Sequence, residues 1–228
     1  MTQLYSRYYD EHNEYRNDLL ANPEVTFQAF ALDRANIRAI RRTGIDRRTA
    51  RVLDVGCGTG VGLITLLRWG FSQTNLSGVD ISAERIENAR AALPVADLRC
   101  ASADALNIQS DTFDLVMEST MFIVMTDDAT AAGIAREMIR VTKPGGHIML
   151  TDWRYSKPGS TVYKAVTPAR IAGWFDVGGA TTVAARENGA LVPPLGRPLS
   201  RFAPSLYFLV HALLPPLVGQ VTTLLRKN

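Results

Sequence analysis

The sequence predicts an α/β fold: a doubly wound, mostly parallel seven-stranded sheet with helices on both faces and an N-terminal helical lid. Three observations lead there. Short β-favouring runs alternate with stretches of helical period between residues 51 and 151, the rhythm of a parallel sheet joined by right-handed crossovers. The run Leu115-Val116-Met117 is apolar without alternation, as expected of a strand covered on both faces. Finally, Val52-Leu53-Asp54-Val55 runs straight into Gly56-Cys57-Gly58-Thr59-Gly60, a strand entering a glycine loop that lets the backbone turn sharply and a ligand lie against it.

Residues 1–24 hold Tyr5, Tyr8, Tyr9, His12 and Tyr15 at spacings of three and four. These form a helical stripe tipped with hydroxyls and an imidazole: either an amphipathic helix seating its aromatics on the core, or a lid over a site. Asn22-Pro23 breaks it, and a second helix is predicted from Pro23 to Arg42 with Phe27, Phe30, Ile37 and Ile40 on its apolar face. Gly44 stops that helix. Residues 1–48 are therefore read as a helical cap and 49–228 as the main domain, with 155–218 on the acceptor side.

The first strand, Arg51–Val55, is followed by a helix with Val61, Leu63, Ile64, Leu66 and Leu67 on its face. Leu76–Ile81 is the second strand, and Ser82 is a good N-cap for a helix over Ala83–Leu93, which Pro94 ends. Leu98–Ser102 and Phe113–Glu118 are strands three and four. A helix from Thr126-Asp127-Asp128 to Val141 leads through the turn Lys143-Pro144-Gly145-Gly146 to strand five, His147–Thr151. Thr167-Pro168 pairs an N-cap with a proline at the first helical position. Ala180–Ala185, with Ala190–Val192, and Val221–Leu225 supply the remaining strand. Phe202–Val218 is apolar but broken by Pro204, Pro215 and Pro216, too short and interrupted for a membrane span.

At 228 residues, with 46% apolar and 21% charged side chains, the chain has the make-up of a globular domain. Two cysteines without metal-like spacing, and an opening Met1–Arg7 with no apolar core, fit a reducing cytoplasm. No resident metal is expected. Net charge is +3, but Ser156–Asn228 carries eight Lys or Arg against two acids, Asp176 and Glu187. That imbalance suits an anionic substrate, a phosphorylated carrier or a membrane surface; solvated surface charge is the plain alternative. The dense basic-aromatic pattern of a nucleic-acid platform is absent, and no nucleic-acid partner is expected.

Four pieces in register resemble the class I S-adenosylmethionine-dependent methyltransferases: Asp54–Gly60, Asp80 at the end of strand two, Ala103-Asp104-Ala105 with Phe113-Asp114-Leu115-Val116, and Lys143–Gly146. The resemblance covers residues 50–153. It implies a cofactor set of Asp54, Gly56, Gly58, Gly60, Asp80, Ile81, Ala103, Asp104, Ala105 and Ser119. Asp54 would lie near the methionine ammonium, Asp80 would hold the ribose, Ile81 would cover the adenine and Asp104 would accept from its amine. Within the residues themselves, an acid closing strand two suits a ribose diol in any dinucleotide-type fold. A dehydrogenase must therefore be weighed. Asp54 directly before the loop argues against a diphosphate, which needs a helix N-terminus free of negative charge.

The cleft of such a sheet lies at the strands' carboxyl ends. Candidates there are Glu118, Ser119 and Thr120, and Asp152, Trp153, Arg154 and Tyr155. His12 and Glu118 are the candidate bases, with catalysis by proximity alone as the alternative. Asp152, Arg154 and Tyr155, with Tyr5, Tyr8, Tyr9 and Tyr15, are candidates for binding the acceptor. His147 opens strand five, on the wrong edge, and His211 reads as a core histidine. A weaker resemblance to bacterial methyltransferases of secondary-metabolite and glycan pathways implies a small-molecule O- or N-acceptor. Methylation of RNA or protein, and a non-catalytic cofactor-binding partner, are the competing readings. Segment 202–218 is a candidate homodimer interface.

Overall fold

The computed structural model describes residues 18–228. Strands β1 (Val52–Val55), β2 (Leu76–Asp80), β3 (Asp97–Cys100), β4 (Phe113–Ser119), β5 (Thr142–Trp153), β6 (Thr181–Asn188) and β7 (Gln220–Lys227) form one sheet in the order β3-β2-β1-β4-β5-β7-β6. Strands β1 to β5 run parallel, and β7 lies antiparallel between β5 and β6. The chain leaves β1 for β2 and β3 on one side and resumes at β4 on the other. The crevice at this switch point opens at the carboxyl ends of β1 and β4.

Neighbouring residues on one strand feed opposite faces. Val52, Leu76, Leu115 and Met117 meet α1 (Thr26–Thr43), α2 (Val61–Arg68) and α3 (Ala83–Ala92) through Ala39, Leu63, Leu66, Ile86 and Ala89. Leu53, Val55, Val116 and Ile148 meet α4 (Asp128–Val141) and α5 (Pro168–Trp174) through Ile134, Met138, Ile171 and Trp174. Helix starts follow the caps: Ser82 Oγ accepts from the Arg85 N–H, Asp127 from Ala129 and Thr130, and Thr167 from Arg170 ahead of Pro168. Gly44, at φ 68°, closes α1 in the left-handed conformation.

Three expectations change. Helix α1 buries Ala31, Ala35, Ala39 and Ile40, and Asn36 Oδ1 accepts from the hydroxyls of Thr151 and Thr222. Residues 26–43 are thus a layer of the main domain rather than a cap above it. Lys143–Gly146 is not a turn outside the sheet. Phe113 pairs with Thr142 and Leu115 with His147, so the four residues between bulge out of a continuous β5. Ala190–Val192 makes only an isolated bridge, Leu191 to Val218. Pro193 and Pro194, which follow it, occupy the first turn of α6 (Pro193–Phe202), where no N–H is needed. Helix α7 (Pro204–Leu213) follows, and Ala31, Leu191, Tyr207 and Val218 form a small third core beneath it.

Candidate functional site

The glycine loop leaves β1 and is held to β2 by two hydrogen bonds, Gly56 N–H and Cys57 N–H to the Val79 carbonyl at 2.8 and 3.0 Å. Gly56, Gly58 and Gly60 all have positive φ (75°, 53° and 83°). Replacement is blocked twice at Gly60: the conformation disfavours an L side chain, and a Cβ would sit 2.9 Å from Leu93 Cδ1. Asp80 staples the loop to α3. Its Oδ2 accepts from Gly58 N–H and its Oδ1 from Ser82 N–H, both at 2.9 Å. The acid read as a ribose ligand thus also shapes the loop, and each oxygen retains a further lone pair.

Asp54 is 3% exposed and accepts no hydrogen bond from any other described residue. Burial, then the charge of Asp80, pushes its carboxyl up to about 8. Gly62 in the first turn of α2 makes room for it, since a Cβ there would lie 2.7 Å from Asp54 Oδ2. An ammonium-bearing ligand suits this buried acid, because a nearby cation offsets its desolvation. Cys57 is buried, its thiol pushed up by burial and then by Asp54 and Asp80, and it packs into space left by Gly78. It is an inert filler. Ile81 is 36% exposed beside the loop. Ala103 is half-buried, while Asp104 and Ala105 are exposed at the carboxyl side of β3.

Ser119 ends β4 exposed, and Thr120 follows at φ 59°. A β-branched residue in the left-handed region is strained. Two buried carboxylates hold the turn that contains it. Glu118 Oε2 accepts from Met121 N–H and its Oε1 from Thr151 N–H, both at 3.0 Å. Asp152 Oδ2 accepts from Ile123 N–H at 2.8 Å and its Oδ1 from Trp153 N–H at 2.7 Å. The Phe122 N–H faces both acids. Burial raises both carboxyls above their ordinary range, and for Glu118 the charge of Asp152 adds to it. The secured turn puts Met121 Sδ 3.0 Å from where a Cβ on Gly56 would stand. The β4 turn and the glycine loop therefore form adjoining walls. Thr120 is a cleft candidate from the sequence, whereas the parts played by Met121 and Gly62 escape sequence reasoning. The positive φ of Thr120 is encoded by no sequence pattern.

Arg154 and Tyr155 turn away from an acceptor role. The Arg154 guanidinium donates to the Pro215 carbonyl at 2.6 Å, and the Tyr155 hydroxyl donates to the Pro216 carbonyl at 2.7 Å. They tether the C-terminal segment to β5, a contact made by residues 61 positions apart. Glu118, with both oxygens engaged by backbone donors and 1% exposure, is placed as a brace rather than as a base facing the cleft. Asp152 is a brace as well. Asp114 accepts from Arg51 N–H and pairs with Lys143 at the opposite edge. His147 lies at that edge too, and His211 donates through Nε2 to the Gly189 carbonyl at 2.8 Å. Tyr5, Tyr8, Tyr9, His12 and Tyr15 lie outside the described residues.

Residues 52–146 match a family model described as a methyltransferase domain. The 2-methyl-6-phytyl-1,4-hydroquinone methyltransferase of a Synechocystis strain is 35% identical over 106 residues, 45% of this chain and 31% of that one. The phosphatidylethanolamine N-methyltransferase of Cereibacter sphaeroides is 30% identical over 136 residues, 55% of this chain and 64% of that one. The chain thus matches between 31% and 64% of these relatives' lengths. A solved S-adenosylmethionine-dependent methyltransferase from Mesorhizobium loti shares the fold at TM-score 0.59 and 18% identity, over 85% of this chain and 98% of that one. Loop, strand order and family model point the same way: residues 52–146 match a methyltransferase domain, and the chain shares the fold of a solved S-adenosylmethionine-dependent methyltransferase.

Proposed function

We propose that this chain transfers a methyl group from S-adenosylmethionine to an oxygen or nitrogen of a small molecule, a secondary-metabolite or sugar-type intermediate. The observation that carries the reading is the buried Asp54, without a side-chain hydrogen-bond partner among the described residues, beside a glycine loop stapled by Asp80. A cation-bearing amino acid fits there and a diphosphate does not. Both named relatives act on small molecules by their names, which favours a small acceptor over RNA or protein.

Asp54 would hold the donor's ammonium, Asp80 its ribose hydroxyls, and Ile81 with Asp104 its adenine. The donor supplies a methyl carbon on a sulfonium, displaced in line with a neutral thioether leaving. Placing the acceptor atom in line with it is worth roughly 7–11 kcal/mol of barrier. The Thr120–Met121 wall, held by Glu118 and Asp152, supplies that placement. Where the acceptor is a hydroxyl or ammonium, a proton must leave. With Glu118 engaged, His12 is the proposed base, and Tyr5, Tyr8, Tyr9 and Tyr15 are proposed to close over the acceptor.

Thermal stabilisation by S-adenosylhomocysteine but not by NAD, followed by labelled methyl transfer into the small-molecule fraction of host extracts, tests the proposal. Stabilisation by NAD would point to hydride chemistry. Label appearing only in RNA or protein would replace the acceptor class, and donor binding with no transfer into any fraction would leave a partner protein. His12→Ala should lower turnover at least tenfold with donor affinity unchanged, and normal turnover would remove the base.

A further inference from the structure

Helix α7 is apolar on every side. Tyr207 and His211 face inward and are buried, while Leu206 (45% exposed), Leu209 (52%) and Leu213 (68%) form an outward stripe at spacings of three and four. Phe202 (77%) and Leu214 (48%) extend it at either end. A helix apolar all round is ordinarily covered on all sides, and a contiguous exposed ridge of this kind marks an interaction surface. The ridge is firmly mounted. Tyr207 Oη accepts from Leu191 N–H at 3.2 Å, and His211 donates to the Gly189 carbonyl. Gly189 follows the end of β6, and Gln220 begins β7 opposite Trp153. Helix α7 therefore stands at the sheet's carboxyl edge, the edge on which the donor loop opens.

The ridge has a positive surround. No acidic residue occurs from Asn188 to Asn228. Arg201 lies with its guanidinium 5.1 Å from the Phe202 ring centroid, and Arg34 lies 5.9 Å from that of Phe208. Beside α7 opens a cleft of about 240 Å³ lined by Arg34, Arg38, Arg186, Asn188 and His211, with the buried Glu187. Glu187 pairs with Arg38 and Arg42 at 3.4 and 2.8 Å; Arg34 and Arg186 have no ion-pair partner among the described residues.

We propose that the α6–α7 element docks on an anionic lipid surface: the Phe202–Leu214 ridge enters the acyl boundary while the arginine cleft at its flank receives headgroup phosphates. Interfacial helices join those two contributions, buried apolar area and attraction to anionic lipid. The charge decides between lipid and a second copy of the chain. A two-fold contact through this ridge sets the same patch against itself, and so brings one arginine rim against another. An anionic bilayer meets both the apolar stripe and the rim. The docking does not depend on what the acceptor is, but it would bring the donor edge to face lipid-borne molecules.

Co-sedimentation of the full chain with vesicles tests this. The chain should pellet with equal parts phosphatidylcholine and phosphatidylglycerol, pellet little with phosphatidylcholine alone, and release as salt rises. Leu209→Asp and Leu213→Asp, at exposed positions, should each cut partitioning by about tenfold or more. Arg186→Ala and Arg201→Ala should each cut it by about fivefold. Melting temperature and S-adenosylhomocysteine affinity should stay unchanged in all four. Absence of binding to either vesicle, or binding untouched by Leu209→Asp, would overturn the proposal. So would a solution dimer that Leu209→Asp converts to monomer without any vesicle binding, which would assign the ridge to a second copy.

Discussion

The carboxyl edge of the sheet carries two pairs of acids that do opposite things. Asp54 and Asp80, at the ends of β1 and β2, border the glycine loop: one is buried with no donor of its own, the other shapes the loop while keeping lone pairs to spare. Glu118 and Asp152, at the ends of β4 and β5, spend their oxygens on backbone N–H groups of the chain itself. The first pair keeps acceptor capacity for the proposed ligand, and the second spends its own on the backbone. Acid residues at strand ends in one fold thus cannot be ranked by position alone. What separates them is whether a backbone donor already occupies the carboxylate.

The sharpest way to break this contrast is at the donor pair. Asp80→Ala removes two charge-assisted hydrogen bonds, each worth about 1.5–3 kcal/mol, as well as the ribose ligand. S-adenosylhomocysteine affinity should fall by about a hundredfold or more in calorimetric titration. A loss below threefold would mean Asp80 serves only the loop.

At the architectural pair the effect should move from affinity to stability. Asp152→Ala leaves the N–H groups of Ile123 and Trp153 unpaired, at about 1–3 kcal/mol each. For a chain of this size, each kcal/mol lowers the melting temperature by about 2–4 °C. Donor affinity should change far less than in Asp80→Ala. Glu118→Gln keeps an acceptor for one N–H and should melt closer to the parent, and if it abolishes turnover at unchanged stability, Glu118 is a base after all.

Titration sharpens the comparison further. A carboxyl whose folded pKa is raised favours the protonated state, so its contribution is fully present below its unfolded pKa and is lost as pH rises through the folded value. The Glu118–Asp152 pair should therefore erode stability from about pH 4 upward. Asp152→Asn should flatten that part of the melting-temperature profile.

Asp54 should show the smaller but more specific effect. A cationic ligand requires it ionised, so below pH 8 binding should release up to one proton. Titrations in buffers of different ionisation enthalpy would count it, and Asp54→Asn should remove both the release and the pH dependence of affinity. An unchanged proton count in the variant would place the cation elsewhere.

Much of the donor half was legible because its determinants are local. A strand, a glycine loop, a capped helix and an acid at the end of the next strand lie within residues 52–82, where φ preference, capping and period speak directly. The strands and helices up to Trp153 follow from the same signals. Beyond it the reading weakened. Pro193-Pro194 carries the same residues whether it ends a strand or begins a helix, and only the docking of α7 on Leu191 and Gly189 selects the helix.

By itself, the sequence determined the parallel sheet and the glycine loop, since both rest on backbone conformation and short-range spacing; the class of donor came with the family resemblance those motifs carry. Tertiary structure alone decided that Glu118 and Asp152 bind backbone N–H groups, that Arg154 and Tyr155 tether Pro215 and Pro216, that α1 is a sheet layer, and that α7 leaves an apolar ridge uncovered by the other described residues. Those outcomes depend on which hydrogen-bond partner or apolar surface arrives from as far as 186 residues away, and no local preference of the chain encodes that arrival.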